Sequence, residues 1–293
     1  MGLGEFYSIA CAMAWAVAVI LFKRSGESLG PFALNLFKNV LALAMFALTL
    51  ALLPGVTWPD FPAGAWALML FSGLVGIGIG DTLYLRALNR IGAARVGIAG
   101  MLYSPFVILL SMAFLGERLG MQQWLGVLAV LAGLVLVNRP DRAAPAADRS
   151  ALIGLAYAVA AIALMAIGIV IAKPLLEHYD FLWVVSVRLA GGVIGMLVVV
   201  AVRRNAADLW RAYRGVRHWP AILIGSVMGT YVAMLLWLAG YKYTLASVVA
   251  VLNETAAVFI LILAAIFLKD RLRGVQLLGS AVAAGGVALV VWT

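Results

Sequence analysis

The chain has 293 residues, of which 66% are hydrophobic and 11% charged, with mean hydropathy +1.10 and formal net charge +9. An ordinary soluble domain carries about 25% charged residues, so a soluble fold is excluded. The basic residues are scattered over short loops without interleaved aromatics, which excludes a nucleic-acid face. The single cysteine, Cys11, excludes disulfides and a thiolate metal site.

A membrane-spanning helix needs about 20 apolar residues. In chain order, apolar runs bounded by charges, Pro or Gly fall at 5–22, 32–53, 64–87, 93–115 and 121–137, then at 151–172, 181–201, 219–243, 246–268 and 275–292. The first is a retained helix and not a cleaved signal, because no Lys or Arg precedes it while Lys23 and Arg24 follow it. Residues 138–150, rich in Pro, Ala and charge, read as a linker between halves 1–137 and 151–293. The expected fold is an all-α polytopic membrane protein of ten transmembrane helices.

Alternate connections divide the basic residues 16 to 3 between the two sides, with Lys38 and Arg188 left inside spans. Lys and Arg near span ends stay cytoplasmic, so this bias predicts both termini on the non-cytoplasmic side.

The halves repeat each other. Phe114-Leu115-Gly116-Glu117-Arg118-Leu119, with Gln123 and Gly126, matches Phe267-Leu268-Lys269-Asp270-Arg271-Leu272, with Gln276 and Gly279, at an offset of 153 residues. Gly76 and Gly229, Ala93 and Ala246, and Gly133 and Gly286 keep that offset, while Lys23 with Lys173 and Lys38 with Arg188 stand 150 apart. Five spans per half is an odd number, so the second half enters the membrane inverted. Inverted repeats of this kind belong to alternating-access carriers.

These residues carry a resemblance over nearly the whole chain. With the F-L-x-[ED]-R-L motif in both halves, the Ala-rich starts of the fourth and ninth spans and Pro105, the chain resembles the EamA family of the drug/metabolite transporter superfamily. It departs from the pattern at Val258, where a second proline would recur. The resemblance implies two inverted five-helix repeats and a secondary transporter, in a family that includes amino-acid exporters.

Ionisable groups deep in spans cost several kcal/mol unless paired or hydrated. Four qualify: Lys38, Asp81, Arg188 and Glu254. They form either two structural ion pairs or part of a substrate path. Asp81 also has a local alternative in Arg86 on the same helix. Glu254, about 12 Å into the ninth span, is a candidate for a substrate amine or for proton coupling, with Arg188 as its partner. Asn39 flanks Lys38 one turn from Asn35, and Asn253 adjoins Glu254. Trp15, Tyr84, Tyr103, Tyr157 and Trp237 lie within or near hydrocarbon and form either ordinary packing or a wall that stacks on an aromatic ligand. Seven other tryptophans, among them Trp58, Trp66 and Trp183, sit near span ends as an interfacial belt.

The glycine run 76–80 lies inside a span and lacks the strand, Lys and Ser of a phosphate loop. His178 and His218 have no serine or aspartate placed for a triad, and no metal or cofactor is expected. The function expected is a multi-pass inner-membrane exporter of amino acids, including aromatic ones, or of similar small metabolites. The alternatives are a carrier for a nucleotide sugar, phosphorylated metabolite or cationic drug, and a membrane interaction protein without transport. The expected partners are a small-molecule substrate and the lipid bilayer.

Overall fold

A computed structural model of the chain describes residues 2–25, 29–53, 57–137, 149–216, 219–267 and 274–291. Most of the linker at 138–150 and the second motif copy at 268–272 lie outside these, as does His218. Among the described residues every regular element is a helix. They are α1 (Leu3–Ser25), α2 (Pro31–Leu52), α3 (Ala63–Gly73), α4 (Asp81–Gly100), α5 (Tyr103–Phe114), α6 (Met121–Val137) and α7 (Arg149–His178). Then come α8 (Phe181–Arg203), α9 (Ala206–Arg214), α10 (Trp219–Ser226), α11 (Ala233–Tyr243), α12 (Ala246–Asn253), α13 (Ala256–Phe267) and α14 (Gly274–Val291).

Five stretches are long and apolar enough to cross a membrane: Pro31–Leu52, Ala63–Ile91, Ala151–His178, Phe181–Arg203 and Trp219–Tyr243. Shorter apolar helices cover Leu3–Val19, Tyr103–Phe114, Met121–Leu136, Ala246–Ile260 and Leu277–Val291. The chain is a multi-pass membrane protein, since its charged residues are too few to cover this much helix in water.

Packing runs across the linker. α1 lies along α10 and α11, whereas α7 lies along α3 and α4; α2 faces α8, α5 faces α12, and α6 lies along α14. Each pair joins a helix before residue 138 to one after it. The α6–α14 contact shows what the repeated glycines do. A Cβ at Gly126 would stand 2.7 Å from the carbonyl oxygen of Gly286, and one at Gly133 would stand 2.5 Å from that of Gly279. Gly126 matches Gly279 in sequence yet faces Gly286, so the equivalent glycines meet crosswise and let the two backbones touch.

Two helices contain π-helical segments, Leu74–Gly80 between α3 and α4 and Val227–Val232 between α10 and α11, whose first residues are 153 apart. The glycine run expected merely to sit inside a span is the first of them. At its end the N–H of Asp81 bonds the carbonyl of Gly76, five residues back. A carbonyl is passed over where such a ladder returns to α-helical spacing. Asn35 of α2 donates to that of Ile77 at 3.1 Å, which puts the asparagine's role in the neighbouring helix.

The fourth and ninth spans differ from expectation. The connection expected at 88–92 is absent: helix continues to Gly100 and breaks at Met101–Leu102. Pro105 then falls in the first turn of α5, where a missing N–H costs nothing. The ninth span, expected to be continuous, breaks at Glu254–Thr255, again 153 residues on. No proline is needed there. Short bonds from Glu254 N to Val251 O at 3.2 Å and from Thr255 N to Leu252 O at 3.1 Å close the turn. The sixth span is longer than expected, and Lys173, placed in a loop by its sequence neighbours, lies buried inside α7.

Candidate functional site

Arg188 is carried by α8 and is 1% exposed. Its surroundings follow from a glycine. A Cβ at Gly73 would run into the backbone carbonyl of Arg188, so α3 and α8 approach in a way only glycine allows. That approach sets Ser72 beside the guanidinium. Arg188 Nε donates to Ser72 Oγ at 2.8 Å, and Ser72 Oγ donates in turn to the carbonyl of Gly168 on α7 at 2.5 Å. The guanidinium carbon lies 6.0 Å from the centre of the Trp237 ring, and Trp237 meets Tyr241 edge-on at 5.4 Å. Arg188 Nη1 is buried with no hydrogen-bond partner among the described residues.

The expected Arg188–Glu254 pair does not form. Glu254 occupies the break after α12, where its Oε1 accepts from Ser104 Oγ at 3.1 Å, and Ser104 also reaches the carbonyl of Ala250 at 3.2 Å. Each broken helix therefore touches the other near its break: Ser104 is two residues beyond one, and Glu254 lies in the other. Asn253 beside it has both side-chain amide atoms buried without a partner among the described residues. Tyr103, the first residue of α5 and the neighbour of Ser104, shares a hydrogen bond with Tyr241 at 2.9 Å between hydroxyls. The site thus contains a cation and a carboxylate that do not engage each other.

The other expected pair is present. Lys38 Nζ donates to Asp81 Oδ2 at 2.6 Å, joining α2 to the first residue of α4. Asp81 bonds Lys38 and not Arg86. Asn39 is fully buried; its amide donates to the Asn35 carbonyl at 2.9 Å and to Asn35 Oδ1 at 2.8 Å, while its own Oδ1 has no partner among the described residues. With Thr82, which receives Asn35 at 3.1 Å, these residues form a polar seam between α2 and α4.

The aromatic candidates separate. Tyr103 and Trp237 pack on the central apolar core around Phe46, Met69, Leu189 and Tyr241. Tyr84 and Tyr157 pack instead on a smaller cluster around Ala87, Ala99 and Ala158, between α4 and α7. Tyr157 also lines a pocket of about 400 Å³ with Pro31, Arg86, Asn89 and Arg90. Trp15 is half-buried on α1 and is not among the side chains packed on the central core. Of the belt, Trp58, Trp66 and Trp183 form one ring cluster, and Trp183 Nε1 donates to the Thr57 carbonyl at 3.1 Å.

Three residues were not singled out from the sequence for what they do. Ser72 is an ordinary serine in an apolar run and gives no signal. Glu117 was legible only as part of the repeated motif; folded, it accepts from the N–H of Ala246 at 2.7 Å and of Ser247 at 3.1 Å, the first residues of α12. Lys173 bonds Glu177 and donates to the Tyr241 carbonyl at 2.9 Å, tying α7 to the end of α11. Its basic character in an apolar stretch was the available signal.

The EamA-like transporter family model matches residues 2–139 and again 152–292. An Archaeoglobus fulgidus protein named as an uncharacterized transporter is 24% identical over 90% of this chain and 89% of its own length. YetK of Bacillus subtilis, named likewise, is 21% identical over 99% of this chain and 87% of its own. A Sinorhizobium transporter named for the cobO 3' region is 28% identical over 45% of this chain but 94% of its own, so it has about the length of one half. Human solute carrier family 35 member F6 is 44% identical over 62 residues, 21% of this chain and 17% of its own. A solved protein crystal structure superposes with a TM-score of 0.80 at 18% identity, covering 99% of this chain and 96% of that one, a likeness of fold alone.

Proposed function

The chain belongs to the EamA-like transporter family, and on that premise we propose that it is a secondary transporter exporting amino acids, aromatic ones among them, or similar small metabolites by alternating access. The five long and five shorter apolar helices are read as ten spans in two inverted five-helix repeats, 1–137 and 151–293, joined by the linker 138–150. The double family match, the half-length relative and the π-helical segments and helix breaks recurring at one offset support this reading. The protein is placed in the inner membrane with both termini outside the cytoplasm, on the strength of the basic-residue bias.

The carrying observation is the meeting of the two broken helices, where Ser104 of α5 bonds Glu254 in the break after α12. Discontinuous helices expose backbone groups and polar side chains where a carrier binds its solute, and an inverted repeat brings two of them together at the exchange point. Lys38, Asn39, Asp81, Arg188, Asn253 and Glu254 supply the polar groups of that path. Trp15, Tyr84, Tyr103, Tyr157 and Trp237 are its aromatic candidates. Glu254 receives the substrate amine or carries the coupling proton, and the Lys38–Asp81 pair is a gate that ties α2 to α4 in the present state.

Purified protein in liposomes, screened with radiolabelled amino acids with and without a pH gradient, tests the reading. Counterflow of at least one amino acid is expected. Absence of flux for every amino acid and related metabolite would leave a membrane protein that is not this carrier. A reporter fused after Thr293 tests the topology, and cytoplasmic activity would refute it.

A further inference from the structure

Among the described residues, Arg188 is a buried cation without an ion-pair partner. Arg188 is 1% exposed and its Nη1 has no partner among the described residues, although its Nε is held by Ser72. A guanidinium keeps its proton in proteins, so burial cannot be relieved by neutralisation as it can for lysine. Leaving a buried charge unpaired is among the more expensive arrangements a fold can keep. Neither intramembrane carboxylate on the page pairs with it. Asp81 is bonded by Lys38 at 2.6 Å, and Glu254 accepts from Ser104 at 3.1 Å.

The groups around the guanidinium bear on which anion would suit it. The Trp237 ring lies 6.0 Å from the guanidinium carbon, and Tyr241 stands edge-on to Trp237 while sharing a hydrogen bond with Tyr103. Ser72 fixes Nε from one side, and its own proton is spent on the Gly168 carbonyl at 2.5 Å. Of the fork's other donors, Nη1 is left buried without a partner among the described residues. A planar carboxylate matches such a fork in two parallel bonds, and the aromatic faces suit an aryl group attached to it.

Resting on the carrier reading, we propose that the substrate is recognised through its carboxylate by Arg188, with Ser72 as the positioning residue, and that the amine is dispensable. The site then takes aryl carboxylic acids as a class, amino acids being members of it. Aromatic amines lacking the carboxylate are rejected, because they would bring a second cation to a site that already holds an unpaired one.

The test uses full-length protein in liposomes and detergent with four probes of one shape: phenylalanine, 3-phenylpropionate, 3-phenylpropionamide and 2-phenylethylamine. Binding is read by thermal shift and by competition against labelled phenylalanine. The two acids should compete at similar concentrations, and the amide and amine about tenfold or more weakly, the loss expected for a charge-assisted bidentate contact. Arg188→Gln should bring acids and amide to the same weak level, Arg188→Lys should retain part of the preference, and Ser72→Ala should raise KM for the acids more than it lowers kcat, with rescue by Ser72→Thr. Because the wild-type probe series stands alone, failure of a variant to fold leaves the test intact. Amide or amine competing as well as the acids overturns the proposal while the carrier reading stands. No flux or binding of any probe or amino acid overturns both.

Discussion

The carboxylate of Glu117 caps a helix from the other half of the chain, and Ser247 is where it grips. Glu117 Oε2 accepts from Ser247 N at 3.1 Å and from Ser247 Oγ at 2.7 Å, while Oε1 accepts from Ala246 N at 2.7 Å. Ser111 closes the cluster through its hydroxyl, 2.7 Å from that of Ser247. The first N–H groups of a helix have no partner within it, and a carboxylate there also meets the positive end of the helix dipole. Gly116, at φ +68°, makes the turn that delivers the side chain. The acidic residue of the first motif copy thus has a mechanical meaning: it holds α12 in place ahead of the break at Glu254.

Glu117→Ala should orphan the two buried N–H groups of Ala246 and Ser247, costing about 1–3 kcal/mol. Glu117→Gln keeps one acceptor oxygen and should cost less. Thermal unfolding in detergent measures both, and an unchanged midpoint for the alanine variant would remove the cap from the account of stability.

The crosswise glycines give a contrast within one helix pair. Gly133→Ala places a methyl 2.5 Å from the Gly279 carbonyl oxygen and should destabilise by about 1–3 kcal/mol. Gly285→Ala on α14 meets nothing within 4 Å and should be neutral or stabilise by up to about 1 kcal/mol through helix propensity. Equal unfolding midpoints for the two variants would contradict the close backbone contact.

Breaking the Lys38–Asp81 pair leaves a charge in a largely buried place, the side chains being 9% and 24% exposed. Asp81→Asn should therefore destabilise by about 3 kcal/mol, and pairing it with Lys38→Met should restore much of the loss. If the double variant is stable but shows leak or altered flux, the pair gates; if its transport is wild type, the pair only holds α2 to α4.

Aromatic walls should sort solutes. Trp237→Ala and Tyr103→Ala should each remove about 0.5–1.5 kcal/mol of aromatic contact beyond area effects, felt by aromatic solutes more than by small aliphatic ones. Trp15→Ala, which lies off the central core, should affect both classes alike. Equal losses for all three variants across both solute classes would indicate damaged packing.

Glu254→Gln keeps the bond from Ser104 and the shape of the break while removing the charge. It should fold as wild type and lose transport or its pH dependence. Transport of every tested solute at wild-type rate across the pH range would make Glu254 structural.

Composition alone determined that the chain lives in lipid, because 11% charged residues cannot cover a solvated surface. Apolar periodicity determined where helices lie, and the offset of 153 residues marked the equivalent positions that later proved to carry π-helical segments and breaks. It could not mark the breaks themselves. Pro105 signals the first, but at Val258 the chain offers no local reason, and the turn at Glu254 is closed by bonds that any residue could make. Pairing was equally out of reach. Lys38 was free to choose Asp81 and did, whereas Arg188 went to Ser72, a serine indistinguishable in sequence from its neighbours, because the glycine at 73 lets α3 approach the backbone of α8. A sequence records which groups must be satisfied once water is gone; which neighbour satisfies them depends on how closely two backbones pass, and that distance is set by the whole packed bundle.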